Sequence, residues 1–284
     1  MITRFAPSPT GPLHLGHAFS AMLAHDLAKA EGGRFMLRIE DIDQSRARPE
    51  WEAQIYDDLA WLGLEWETPV MRQSDRLDLY RDAIEDLWQR DLLFACSCNR
   101  RDIREAASAP QEGSPVMGPD GIVYPGTCRH RRRSRSLPHA PEGYALRLDM
   151  SEALSVAGAP NFKERLFTEN AQTSSLSSAE MVQTVGDVVI ARRDMGTSYH
   201  LSVVVDDADQ DITDVVRGED LFEATFIHVV LQGLFGFPMP SYHHHRLIRD
   251  DDGKRLAKRD DARAIALYRD NGASPRDIRG MVGL

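Results

Sequence analysis

Two histidines three residues apart, His14 and His17, follow the loop Arg4-Phe-Ala-Pro-Ser-Pro-Thr-Gly11. At that spacing both imidazoles lie on one face of a helix beginning near residue 15. Gly16 between them lets a base or ribose come close to the backbone. A helix N-terminus favours phosphate, and imidazoles there can donate to oxygens that gain charge during phosphoryl or adenylyl transfer. The pattern suits a nucleotide held against a second small substrate.

Three further groups could act with it. In Arg38-Ile-Glu40-Asp41-x-Asp43, Glu40 ends a strand, where side chains of a parallel sheet line the ligand crevice, and can accept a hydrogen bond from an amine. Arg217 ends a later strand before a glycine, and a guanidinium there can grip a carboxylate with two hydrogen bonds. With Tyr199 and Asp206-Asp207 these describe a pocket for an amino acid. Gly253-Lys-Arg-Leu-Ala-Lys-Arg259 is a glycine-led cationic loop that can close over a polyphosphate. Cys96, Cys98 and Cys128 are the three cysteines of the chain, an odd set that points to metal. Zinc wants four tetrahedral ligands. The fourth is open on chemistry, between His130 as an imidazole and Tyr124 as a phenolate.

These groups need elements to position them. Residues 1–6 and 34–40 read as strands, and 16–31 reads as a helix stopped by Gly32-Gly33, so a βαβ unit and a parallel sheet are expected. On the second strand Phe35, Leu37 and Ile39 share one face, with Arg38 and Glu40 on the other. Amphipathic helices are predicted over 49–62 and 76–92. Residues 96–142 are poor in apolar side chains and hold every cysteine, which reads as an insertion. Strands return at 144–148 and 187–190, then a helix (199–208), a strand (212–216) and a helix (221–235). A basic, polar tail with short helical pieces is expected from about 240.

The chain has 284 residues, enough for one large or two modest domains. No apolar run reaches the roughly 18 residues of a membrane helix, and a strand beginning at the first residues leaves no room for a signal peptide. A cytoplasmic protein is expected. A net charge of −10 argues against a general nucleic-acid coat protein, although Arg129-His-Arg-Arg-Arg-Ser-Arg135 could meet phosphates.

In this combination and order, the motifs resemble the class I aminoacyl-tRNA synthetases of the glutamyl type, over the whole chain. His14-Leu-Gly-His17 is similar to the first class signature. Arg255-Leu-Ala-Lys258-Arg259 is similar to the second, Lys-Met-Ser-Lys-Ser, with Arg255 in place of its first lysine and Ala257 in place of its serine. His200 stands where the full-length glutamyl enzymes carry Asn. The chain runs only 25 residues past Arg259, where those enzymes continue into an anticodon-reading domain. The short form with three cysteines looks like the glutamyl-queuosine tRNA(Asp) synthetases.

The resemblance implies an α/β fold: a Rossmann-like parallel sheet with a zinc-stapled insertion and a short helical C-terminal region. Its parts would be 1–92 and 186–238 as the two halves of the catalytic domain, 93–185 as the insertion, and 239–284 as a stem-contact-like region. It implies activation of L-glutamate by ATP with Mg2+ and transfer to the queuosine base of tRNA(Asp), by a monomer. Glutamate would be bound by Arg4, Phe5, Ala6, Pro7, Ser8, Glu40, Tyr199 and Arg217. His14, Gly16, His17 and Lys258 would serve ATP, with His14, His17 and Lys258 catalytic. Leu256 would belong to the second signature. One structural zinc would take Cys96, Cys98, Tyr124 and Cys128. Two other readings share these motifs: a truncated glutamyl-tRNA synthetase charging a tRNA 3′ end, and a non-catalytic RNA-binding module on a synthetase scaffold.

Overall fold

A computed structural model describes residues 1–108, 115–130, 137–165, 171–249 and 264–284. Its first unit is β1 (Ile2–Phe5), α1 (Leu15–Ala30) and β2 (Arg34–Ile39), with the two strands parallel, Ile2 opposite Arg34 and Phe5 opposite Leu37. This is the expected βαβ unit. Gly33 does more than stop the helix: a Cβ there would sit 1.9 Å from the Met1 carbonyl oxygen, so only glycine lets the chain pass. α2 (Pro49–Trp61) opens on its proline and buries Ile55 and Leu59. β3 (Glu67–Arg72) then pairs parallel to β2. Periodicity did not predict β3 because it is an edge strand with no buried residue, and Pro69 is tolerated at an edge. α3 (Leu77–Gln89) buries Tyr80, Ile84 and Leu87.

The chain next leaves the sheet. β4 (Leu93–Cys96), α4 (Arg100–Ala107), the small hairpin β5 (Met117–Gly118) and β6 (Gly121–Ile122), and β7 (Ala145–Leu148) follow in order. After α5 (Met150–Ala157) come β8 (Asn161–Arg165), β9 (Ala171–Ser175), α6 (Ser178–Thr184) and β10 (Val189–Ala191). β10, β7 and β4 form a separate antiparallel sheet in that order, so the strand expected near 187–190 lies outside the parallel sheet.

α7 (Tyr199–Asp209), β11 (Asp214–Gly218), α8 (Phe222–Phe235) and β12 (Ser241–His245) bring the chain back. β11 pairs parallel with β12, and β12 parallel with β8. β1 lies beside β11, where the Thr213 N–H donates to the Ile2 carbonyl at 3.0 Å. Strand order therefore runs outward from β1 to β3 on one side and from β11 to β12 and β8 on the other. A parallel sheet with such a reversal opens a crevice at the carboxyl ends of the two central strands.

The tail expected from 240 is corrected by β12. Residues 241–245 form an interior strand, and its histidines misled the sequence reading because hydropathy scores imidazole as polar. Each is matched on burial: His243 by Asp214 at 2.9 Å, His244 by Glu164 at 2.7 Å and His245 by Ser20 at 2.5 Å. Short helices do follow, α9 (Ile265–Asp270) and α10 (Pro275–Val282); Ile265, Ile278 and Val282 join the core formed by α1, α2, Phe5 and Leu37. Among the described residues no helix is long and apolar enough to cross a membrane.

Candidate active site

Charged side chains converge at the carboxyl ends of β1, β2 and β11, and their order of burial sorts them by role. Arg38 is wholly buried, with Nη1 donating to Asp207 Oδ1 and Gln210 Oε1, each at 2.8 Å. Arg4 holds the same carboxylate from β1, Nε to Oδ1 at 3.0 Å and Nη2 to Oδ2 at 3.3 Å. Its neighbour Asp206 accepts from Gln73, Arg76 and Tyr80 at 2.8–2.9 Å. This network clamps α7 against β1, β2 and α3. Burial works to raise the Asp207 carboxyl, but Arg4 and Arg38 outweigh it and hold it below its ordinary range.

Glu40 is placed differently. Among the described residues it meets one arginine, Arg38 Nη2, at 3.4 Å, and burial pushes its carboxyl up to about 7 against the pull of Arg38 and Arg4. The two guanidinium groups are committed to Asp207, so Glu40 is left able to take a cationic ligand. Its backbone N–H donates to the Pro7 carbonyl at 3.0 Å, which ties the loop after β1 to the end of β2.

Arg217 shows the opposite imbalance. It is 6% exposed, yet among the described residues it has no carboxylate partner. Nε donates to His244 Nε2 at 3.3 Å, Nη2 to Thr225 Oγ1 at 2.6 Å, and Nη1 to His228 Nδ1 at 3.1 Å and the Tyr199 hydroxyl at 3.5 Å. Every one of these partners is neutral or can be. His228 is held neutral, its pKa pushed well below the ordinary value by burial and then by Arg217. A buried cation solvated only by neutral dipoles is costly unless an anion arrives.

The loop after β1 runs into α1 through a cap made of imidazoles. His14 Nδ1 accepts from the Gly16 N–H at 3.1 Å, His17 Nδ1 accepts from the His14 N–H at 3.1 Å, and the rings stack with centroids 3.8 Å apart. Each neutral ring accepting at Nδ1 carries its proton on Nε2 and keeps a donor there. His14 also pairs as an isolated β-bridge with Ala264, which follows the cationic loop in sequence.

A cleft of about 1020 Å³ is lined by Ser8, Glu40 and Tyr199 on the sheet side and by Asp120, Tyr124 and Arg147 on the insertion side. Arg4, Arg217, His14 and His17 are not among the residues that line it. Phe5 is in the core and Pro7 is buried, while Ala6 is part-buried. The second-signature residues Arg255, Leu256, Ala257, Lys258 and Arg259 lie outside the described residues, as do 131–135 of the basic run. Arg129, the first of that run, is bound to Asp187 at 2.7 and 2.9 Å.

The cysteine sulfurs lie within 4.8 Å of one another. Cys98 and Cys128 sulfurs are 3.6 Å apart, and the Tyr124 oxygen stands 3.4 Å from Cys96 and 3.6 Å from Cys98. Sulfurs about 2.3 Å from a tetrahedral zinc are about 3.8 Å apart, so the donor set fits that ion. The Tyr124 oxygen stands beside two of the three sulfurs, where a fourth donor could reach the same ion. That oxygen accepts from the Cys128 N–H at 2.8 Å, and the Arg147 guanidinium covers the Tyr124 ring at 3.9 Å. His130 is exposed and turned to the Thr127 carbonyl, 3.1 Å away.

Sequence reasoning treated Arg38 as the polar face of its strand and did not single out Asp120, Glu164, His228 or His244. A signal existed for His228, an imidazole inside the apolar run Phe226-Ile-His-Val-Val-Leu231. A histidine there must find partners inside the protein.

A family model described as "tRNA synthetases class I (E and Q), catalytic domain" matches residues 1–284. A Rhodobacter capsulatus protein named "Glutamyl-Q tRNA(Asp) synthetase" is 64% identical over 284 residues, covering 100% of both chains. An Aquifex aeolicus "Glutamate--tRNA ligase" is 35% identical over 279 residues, and the match spans 55% of that longer protein. Among solved structures, a glutamate tRNA ligase from Elizabethkingia meningosepticum, in complex with its amino acid, superposes on all of this chain with a TM-score of 0.76 at 28% identity; the chain spans 60% of it. The buried network, the imidazole cap and these likenesses agree: the chain belongs to the class I aminoacyl-tRNA synthetases, in the glutamyl and glutaminyl catalytic family, and groups there with the glutamyl-Q tRNA(Asp) synthetases.

Proposed function

We propose that this enzyme joins L-glutamate to ATP and passes the glutamyl group to the queuosine base of tRNA(Asp). The observation that carries the amino-acid half is the pairing of Arg217, a buried cation without an anion, with Glu40, a buried carboxylate short of cations. Together they complement the carboxylate and the ammonium of one amino acid. Arg217, beside Tyr199, takes a glutamate carboxylate; Glu40 takes the ammonium; Ser8 and the backbone of Phe5, Ala6 and Pro7 close that end. His14, Gly16 and His17 meet ATP, with Lys258 from the second signature. Magnesium enters on the ATP phosphates.

A glutamate α-carboxylate oxygen attacks the α-phosphorus, and the bond to pyrophosphate breaks. No protein nucleophile is needed, and positioning with charge stabilisation supplies the rate. A hydroxyl of the acceptor then attacks the adenylate carbonyl; AMP leaves, an ester forms, and the hydroxyl proton passes to solvent. Cys96, Cys98, Cys128 and Tyr124 hold one zinc that staples the insertion and takes no part in these steps.

End-to-end coverage of the R. capsulatus protein supports the queuosine acceptor over a 3′-terminal ribose. The test charges queuosine-containing tRNA(Asp) with labelled glutamate, cuts the tRNA on either side of the anticodon, and finds which fragment carries label. Label in the anticodon fragment is expected; label at the 3′ end would assign the acceptor to the terminal ribose. Measurable glutamate-dependent pyrophosphate exchange that is lost in Lys258→Ala is expected, and its absence in the parent protein would favour a non-catalytic module.

A further inference from the structure

From Arg217 a line of side chains runs off the sheet and into the insertion. Arg217 Nη1 donates to His228 Nδ1 at 3.1 Å. A neutral imidazole accepting at Nδ1 has its proton on Nε2, and His228 Nε2 is 3.1 Å from His200 Nδ1. His200 in turn has its proton on Nε2, which is 2.9 Å from Asp120 Oδ1 and 3.1 Å from Oδ2. A guanidinium can only donate and a carboxylate can only accept. The two ends therefore impose the same direction of donation on both rings.

The imidazoles are 2% and 6% exposed at His228 and His200, so both are held mainly by protein partners, with His200 also at the wall of the cleft. Asp120 sits in the turn of the β5–β6 hairpin with its side chain 48% exposed, and it lines the cleft. On its other side Arg217 meets a second line of the same kind, Nε to His244 Nε2 at 3.3 Å and His244 Nδ1 to Glu164 Oε2 at 2.7 Å. Each carboxylate is separated from the guanidinium by at least one ring. Negative charge is thus supplied at a distance, and the guanidinium keeps its capacity for an anion in contact.

We propose that Asp120, acting through His200 and His228, is a positioning residue for Arg217, so that the hairpin of the insertion sets how well the pocket holds a carboxylate. The proposal rests on the reading of Arg217 as the anchor of a glutamate carboxylate. His200, which stands where the resemblance implied a substrate-contacting Asn, acts here as a link in this line.

The test is glutamate-dependent pyrophosphate exchange with full-length variants, each checked by thermal melting. Asp120→Ala is expected to raise the KM for glutamate about fivefold with the KM for ATP unchanged, because His200 loses the acceptor that fixes the direction of donation along the line to Arg217. Asp120→Asn keeps an oxygen acceptor for His200 and is expected to recover most of the loss. In a His228→Gln background Asp120→Ala should add nothing, since the line is already cut. An unchanged glutamate KM in Asp120→Ala overturns the proposal. So does a full additive loss in the double variant, which would mean that Asp120 touches substrate directly. Arg217→Lys separates the underlying reading. A normal glutamate KM there removes the anchor and the proposal together, whereas a large loss beside a silent Asp120→Ala removes the positioning role alone.

Discussion

Glu40 and Asp58 are both carboxyls raised by burial, and they lead to opposite expectations. Glu40 rises to about 7 because burial outweighs its arginines, and it faces the cleft. Its ionised form is the one that accepts an ammonium, so kcat/KM for glutamate should climb as pH rises through about 7. Glu40→Gln should flatten that limb and lower the plateau by roughly tenfold or more, as expected when a charged hydrogen bond is lost. Asp58 lies in α2 with neither carboxyl oxygen hydrogen-bonded among the described residues, and burial lifts it to about 6. Its folded value exceeds the unfolded one, so its neutral form stabilises the fold at low pH and that benefit fades as pH rises from about 4 through about 6. Asp58→Asn should therefore be more stable than the parent at pH 7.5, by about 1–2 kcal/mol, with the advantage gone at pH 4; melting curves at both values check it. The place of Glu40 at a strand end was legible in sequence, but the burial of Glu40 and of Asp58 was not. An acidic side chain after a strand and another inside an amphipathic helix look alike until the packing around them is known.

At the scale of elements, legibility followed periodicity. The unit β1–α1–β2, the helices α2, α3, α7 and α8, and strand β11 all carry apolar residues at the spacing of their secondary structure, and all were predictable within a few residues. β3 was not, because an exposed edge has no alternation to read. β12 was not, because its burial depends on partners supplied from elsewhere in the chain: Asp214, Glu164 and Ser20 lie on three other elements. The cysteine-bearing insertion was readable as composition, while the choice between His130 and Tyr124 as fourth ligand was open on the residues and only the resemblance favoured Tyr124. Metal analysis should find about one zinc per chain, as a tetrahedral four-donor site holds one ion. His130→Ala should leave that stoichiometry unchanged, whereas Cys98→Ser should lower it and speed proteolysis within 97–130. Retention of full zinc in Cys98→Ser would place the ion elsewhere.

Across the whole molecule, ion pairs differ in worth by where they sit. Arg38, Arg4 and Asp207 join β1, β2 and α7 with almost no solvent, so Asp207→Asn leaves two buried guanidinium groups short of charge. A loss of about 3–5 kcal/mol is expected. The pair Arg46–Asp43 has an arginine 69% exposed, and Arg46→Ala should change stability by less than about 1 kcal/mol. Denaturant titration of the two variants tests the contrast. One further consequence comes from the seam between β1 and β11, where Ile2 and Thr213 meet across 211 residues of sequence. During synthesis the first βαβ unit emerges long before the strand that flanks it, so its inner edge stays open while most of the polypeptide is still being made. The insertion, whose contacts are short in sequence, can settle in the meantime. Ribosomes stalled before residue 218 should then carry a nascent chain with a closed knuckle and an unclosed nucleotide half, an early sensitivity to chaperone supply that no property of the finished enzyme discloses.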